Sequence, residues 1–135
     1  MTFMLRGVRG ATTVAANDAA LILTATRELL EEVVLVNGIA EDDVASVIFT
    51  TTPDLNAVYP AQAARQMGWQ RVALMGAQEI QIPDGLQMCI RVLVHWNTDK
   101  SQDELQHVYM HGAERLRPDL LYPKNKLVLN GSDEA

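Results

Sequence analysis

Two hydrophobic rhythms run along this chain. From Cys89 to Trp96 apolar residues fill nearly every position, so that in a strand Ile90, Val92, Val94 and Trp96 share one face and Cys89, Arg91, Leu93 and His95 the other. From Leu21 to Val36 apolar residues fall with mostly helical spacing, after Asn17 as an N-cap and before Asn37-Gly38 as a stop. That stretch predicts the longest helix. Further strands are predicted over about residues 3–12 and from Val44 to Thr50, the second running into a Thr-rich loop with Pro53 and Asp54 as turn residues. Pro60, at a first helical position, and Gly68 bracket a short helix. The segment RVALMGAQEIQI reads as a strand broken near Gly76, and Ser101 with Glu104 forms a capping-box pattern before a short helical turn and another strand or helix. Strands separated by helices predict an α/β (α+β) domain, a small mixed β-sheet with helices on one face. Residues 1–122 form the expected domain and 123–135 a flexible tail. So small a sheet leaves edges and a face to cover, which oligomerisation would do.

Composition narrows what such a domain does. With 135 residues, 48% apolar and 21% charged, one globular domain is expected. A formal net charge of -6 disfavours nucleic acid and anionic membrane as partners. Any anion bound must be small and met by a local cluster. The single cysteine, Cys89, excludes an internal disulfide framework, and the three histidines make no zinc pattern with it. No metal or cofactor is therefore expected. The chain lacks both an N-terminal h-region and an apolar run of about 18 residues, so a cytoplasmic protein is expected.

The polar residues inside apolar runs are the candidate chemistry. Arg91 lies among apolar neighbours, and burying a guanidinium costs several kcal/mol unless an acceptor meets it. Either an ion pair to an acid such as Glu79 or snorkelling at a strand end answers that cost, and so does a ligand. Glu79 is equally open, as a solvated strand residue or as an acceptor inside a pocket. Arg6 and Arg9, three apart on a strand, face opposite ways, so at most one enters the same pocket. Gly7 and Gly10 weaken that strand unless a ligand or another backbone approaches, which favours a site. Arg65, Tyr109 and Arg117 complete the set, although each also fits an ordinary structural place. His95, His107 and His111 have no Ser or Cys at a nucleophile motif, and no phosphate cradle is present. An arginine-rich, carboxylate-containing constellation without covalent chemistry suits binding and electrostatic stabilisation of a small anionic compound.

In order and at near-matching spacing, RGVRGATTV, TTPDLNAVYPAQAAR, GWQRV, QEI, CIRVLV, NTD, HVYM and LRPDL resemble the monofunctional chorismate mutases of the AroH class. The resemblance spans roughly residues 5–121. It implies an isomerase of the shikimate pathway that converts chorismate to prephenate by a Claisen rearrangement, without cofactor or covalent intermediate. It also implies a homotrimer forming a pseudo α/β-barrel, with sites in clefts between neighbouring subunits. Carried onto this sequence, Arg9 contacts a substrate carboxylate, Arg91 faces the ether oxygen of the breaking bond, Glu79 accepts from the ring hydroxyl and Tyr109 stands at the side-chain carboxylate. Tyr59, Ala61 and Arg65 line the pocket from the adjacent subunit, Leu74, Met75 and Gly76 also bind substrate, and Leu116 and Arg117 help close it. Two positions depart from the family pattern. Gly76 stands where a small thiol residue is common, and Gln62 where a lysine is expected, which bears on substrate binding more than on reaction type. A Rid-type enamine or imine deaminase and a non-catalytic trimer binding a small dicarboxylate are the alternatives.

Overall fold

The computed structural model describes residues 2–120. The predicted domain end at residue 122 and the tail beyond it lie outside the described residues. Five strands form one mixed sheet: β1 (Met4–Thr13), β2 (Val44–Thr51), β3 (Ala73–Gln78), β4 (Cys89–Thr98) and β5 (Val108–Tyr109), in the order β3-β2-β4-β1-β5. β4 is antiparallel to both β1 and β2, whereas the edge strands β3 and β5 run parallel to their neighbours.

Two helices, α1 (Ala19–Asn37) and α2 (Ala61–Gln66), cover one face. The alternation in β4 decides which: Ile90, Val92, Val94 and Trp96 are all at least 96% buried beneath them. Leu29, Leu30 and Val33 of α1 close this core together with Val8 and Phe49. Burying each such side chain contributes roughly 1.5–3 kcal/mol, so this layer is the main support of the fold. Gly10 is the place where α1 meets β1. A Cβ there would stand 3.0 Å from Leu29 Cδ1 and 3.1 Å from Val33 Cγ2. Helix packing thus gives the glycine a reason of its own, in addition to its place in the wall of the cavity on the other face.

Local details differ from the sequence reading by small, explicable steps. Asp18, not Asn17, caps α1, accepting from Leu21 N at 3.0 Å. Asn17 is occupied elsewhere: its Oδ1 accepts from the N–H groups of Asn56 and Ala57, and its Nδ2 donates to Asn56 Oδ1. It thus fixes the loop that carries Tyr59. Pro60 takes the capping position one residue before α2. β3 passes through Gly76 unbroken, because pairing with β2 from Ser46 to Thr51 satisfies its backbone up to Gln78. The capping box at Ser101 and Glu104 is present, and the Ser101 N–H, donating to Glu104 Oε1 at 2.7 Å, with the Ser101 hydroxyl beside it, holds the Glu104 carboxyl below the usual range.

The opposite sheet face carries Leu5, Arg9, Ile48, Met75, Arg91 and Leu93 and has no α-helix over it among the described residues, only the 3-10 turn His111–Arg115 against its Ala11 end. Arg91 is therefore not buried, as its apolar neighbours suggested. Its side chain is 45% exposed. No described helix is long and apolar enough to cross a membrane.

Candidate active site

Near the β5 edge the open face sinks into a cavity of about 160 Å³ lined by Arg9, Thr50, Glu79, Arg91, Leu93 and Tyr109, among others. Sheet register brings these residues together. Ala11 pairs with Arg91 on one side and with Tyr109 on the other, so β1 spaces the guanidinium and the phenol across one strand. On the other flank Thr50 lies directly opposite Arg91. Glu79 follows β3 by one residue, and its N–H still donates to Thr51 O at 2.8 Å, which continues the pairing and turns the carboxylate in beside β4.

Arg91 Nε lies 3.2 Å from Glu79 Oε2, and the Thr50 hydroxyl makes a short hydrogen bond to the same oxygen. The ion pair raised as the structural alternative is thus formed. Its exposure decides what it is for. Pairs this open to water contribute about 0–1 kcal/mol, too little to explain a guanidinium and a carboxylate set into an apolar sheet face. Arg9 closes the other side, with Cζ 6.0 Å from the Tyr109 ring centroid and its backbone N–H donating to His107 Nδ1 at 3.0 Å. Arg6 points away and bonds Lys100 O at 3.0 Å, as expected from its parity. Two guanidiniums against one carboxylate leave the cavity one positive charge, inside an acidic chain.

Beneath this wall Cys89, Ala11, Tyr109 and Ala113 form a small apolar cluster, with Leu116 packed against it. Burial pushes the Cys89 thiol up to about 11, although the nearby Arg91 guanidinium pulls the other way. It is an inert thiol at neutral pH, not a nucleophile. Asp54 anchors the start of β4, accepting from Met88 N with both carboxylate oxygens, while Thr52 Oγ1 accepts from Cys89 N at 3.0 Å. Met88 itself is in the left-handed region, with φ 55°. Among the described residues no cluster of three or more His, Cys, Asp or Glu is arranged for a metal.

The remaining candidates are not brought to this cavity within one chain. Tyr59 is 79% exposed and lines, with Gly76, a separate hollow of about 610 Å³ on the helix-bearing side. Arg65 and Leu74 border a third depression, Ala61 is buried in the main core, and Met75 lies exposed on the open face. A Cβ on Gly76 would meet only Phe49 O, at 4.0 Å, so packing does not require the glycine. Arg117 is held outside the cavity by Asp119, at 3.0 and 2.9 Å, which keeps the Asp119 carboxyl below its usual range. Thr50 is the site residue the sequence reading missed. Its only signal was a place on the same strand face as the polar candidates, and identifying that needs the register of β2 on β4.

Fold and site define a small mixed α+β protein with an ion-paired, arginine-lined hollow for an anionic compound and no covalent machinery. Residues 5–120 match the chorismate mutase type I family, and the chain belongs to it. It is 51% identical over 118 residues to the chorismate mutase AroH of Thermus thermophilus, covering 87% of this chain and 97% of the relative. With the chorismate mutase AroH of Bacillus subtilis (strain 168) it shares 44% identity over 123 residues, 90% of this chain and 97% of that one. A solved chorismate mutase structure from Clostridium thermocellum superposes with a TM-score of 0.80 at 50% identity, covering 82% of this chain and 98% of that chain. The Rid-type alternative is set aside by this membership.

Proposed function

We propose that the chain is a chorismate mutase, an isomerase of aromatic amino-acid biosynthesis that rearranges chorismate to prephenate in the cytoplasm. The observation that carries the reading is the Arg91–Glu79 pair lining a cavity flanked by Arg9 and Tyr109. The reaction is unimolecular and pericyclic. No proton moves and no covalent bond to protein forms, so the work left to the chain is to hold a reactive conformer and to stabilise charge separating along the breaking C–O bond. A fixed cation at the ether oxygen suits that task, because its interaction strengthens as negative charge develops there. Arg91 takes this role. Glu79 accepts from the ring hydroxyl, while Arg9 and Tyr109 take the substrate carboxylates.

The working unit is a homotrimer with one cleft at each subunit boundary. Tyr59, Ala61 and Arg65 of the neighbouring copy complete the cleft, Leu74, Met75 and Gly76 add to the substrate contacts, and Leu116 and Arg117 close it. Two observations support this: the open sheet face with Leu5 56% and Met75 65% exposed, and the separation of these residues from Arg91 within one chain. The direct test incubates purified protein with chorismate, follows its ultraviolet loss, and acidifies to convert prephenate to phenylpyruvate. Loss matched by phenylpyruvate, abolished by Arg91→Ala, is expected. Binding without turnover would replace this reading by the non-catalytic dicarboxylate binder.

A further inference from the structure

We propose that Thr50 is a positioning residue for Glu79, a role that rests on the chorismate mutase reading. Glu79 stands just past the end of β3, where the chain leaves regular structure and the neighbouring Ile80 and Ile82 are 86% and 61% exposed. A single backbone bond, to Thr51 O, holds its main chain. Its side chain has several rotatable bonds and among the described residues is fixed by two contacts, both on Oε2: Arg91 Nε and the Thr50 hydroxyl. Neither contact uses Oε1, which is left for a ligand hydroxyl.

The two supports differ in stiffness. Arg91 is a long side chain, 45% exposed, whose remaining N–H groups are wanted by the substrate. Thr50 is short and β-branched, which restricts χ1, and it sits mid-sheet between Arg91 on β4 and Ala77 on β3. When Arg91 turns to the substrate, the Thr50 hydroxyl is what keeps Glu79 in place. Packing gives no other reason for a hydroxyl here, since valine has the same shape and prefers strands at least as strongly. Thr50 touches no reacting atom in this account and acts through Glu79.

The test compares the parent chain with Thr50→Val and Thr50→Ser, using chorismate as substrate. The hydrogen bond lost on Thr50→Val is one to a charged group, so kcat should fall about tenfold while KM stays within about twofold. Thr50→Ser should remain within about threefold of the parent. A merely structural role reverses that order, because valine is the better strand former. Parent-level kcat in Thr50→Val, or a serine variant no better than the valine one, overturns the proposal. In a Glu79→Gln background Thr50→Val should change nothing further, and an additional loss there also overturns it. A parent that turns over no chorismate defeats the function reading instead. Crystal structures of the parent and Thr50→Val chains then decide the matter: loss of the single Glu79 rotamer supports the role, and an unchanged Glu79 overturns it.

Discussion

The two halves of the proposed cleft are built in contrasting ways. The wall of Arg9, Glu79, Arg91 and Tyr109 is assembled by strand register, with three strands converging on one ion pair and its bonds already formed. The half carried by Tyr59, Arg65 and Gly76 rests on a loop, a six-residue helix and an edge strand, and its side chains face solvent. The groups proposed to stabilise charge are already paired within one chain. Those proposed to enclose the substrate are not brought to them there.

The sharpest way to break this contrast is at Arg91. Arg91→Lys keeps a charge but loses the planar fork that bonds Glu79 through Nε, and removing such a preorganised donor typically costs a hundredfold to a thousandfold in kcat. Steady-state rates near those of the parent would show that charge alone suffices. Next comes mixing of chains. Arg65→Ala and Arg91→Ala chains, each nearly inactive alone, should on co-refolding recover up to about a quarter of parental turnover, because randomly mixed trimers rebuild that share of intact clefts. No recovery would place both arginines in one chain's site.

The smallest effect concerns stability alone. The folded Cys89 thiol ionises near 11 against an ordinary 9.0, so the folded state binds more protons than the unfolded chain between those values. Its contribution is complete below about pH 9 and is lost as pH rises toward 11. The parent should therefore lose on the order of 2 kcal/mol more than Cys89→Ala over that interval, as read from chemical denaturation at each pH. Parallel curves for the two chains would show that the thiol titrates as freely folded as unfolded.

Much of the rigid half was legible in the sequence, for a physical reason. Strand parity is a property of consecutive residues, so the faces of β4 and the opposed directions of Arg6 and Arg9 follow from spacing alone. What spacing does not contain is distance between elements. Gly10 looked like a site glycine alone because nothing in its neighbours reveals that α1 crosses there. Arg91 looked buried because apolar neighbours do not say which sheet face lacks a cover. Thr50 stood unmarked among three consecutive threonines, its role fixed only by the register of β2 against β4. Asn17 read as the cap of α1, but a loop nearly forty residues away claims its side chain and Asp18 caps instead. Arg65 on the short helix was a candidate by its charge, whereas Tyr59 and Ala61 were reachable only by resemblance to a family, since no local pattern marks an exposed tyrosine as half of a site.

The edge strand β3 has a consequence for the life of a newly made chain. Its sequence ALMGAQ contains no charge and no proline, and five of its six residues are exposed. Natural edges are usually guarded by lysine, proline or a bulge, and an unguarded one is a template for strands of other molecules. Here brevity and an acidic surface are the main protections, and the chain's like-signed charge keeps its copies apart in dilute solution. During synthesis, then, folding competes with edge-to-edge aggregation from the outset. How much active protein a cell or an expression culture yields depends on that kinetic contest as well as on the stability of the finished fold.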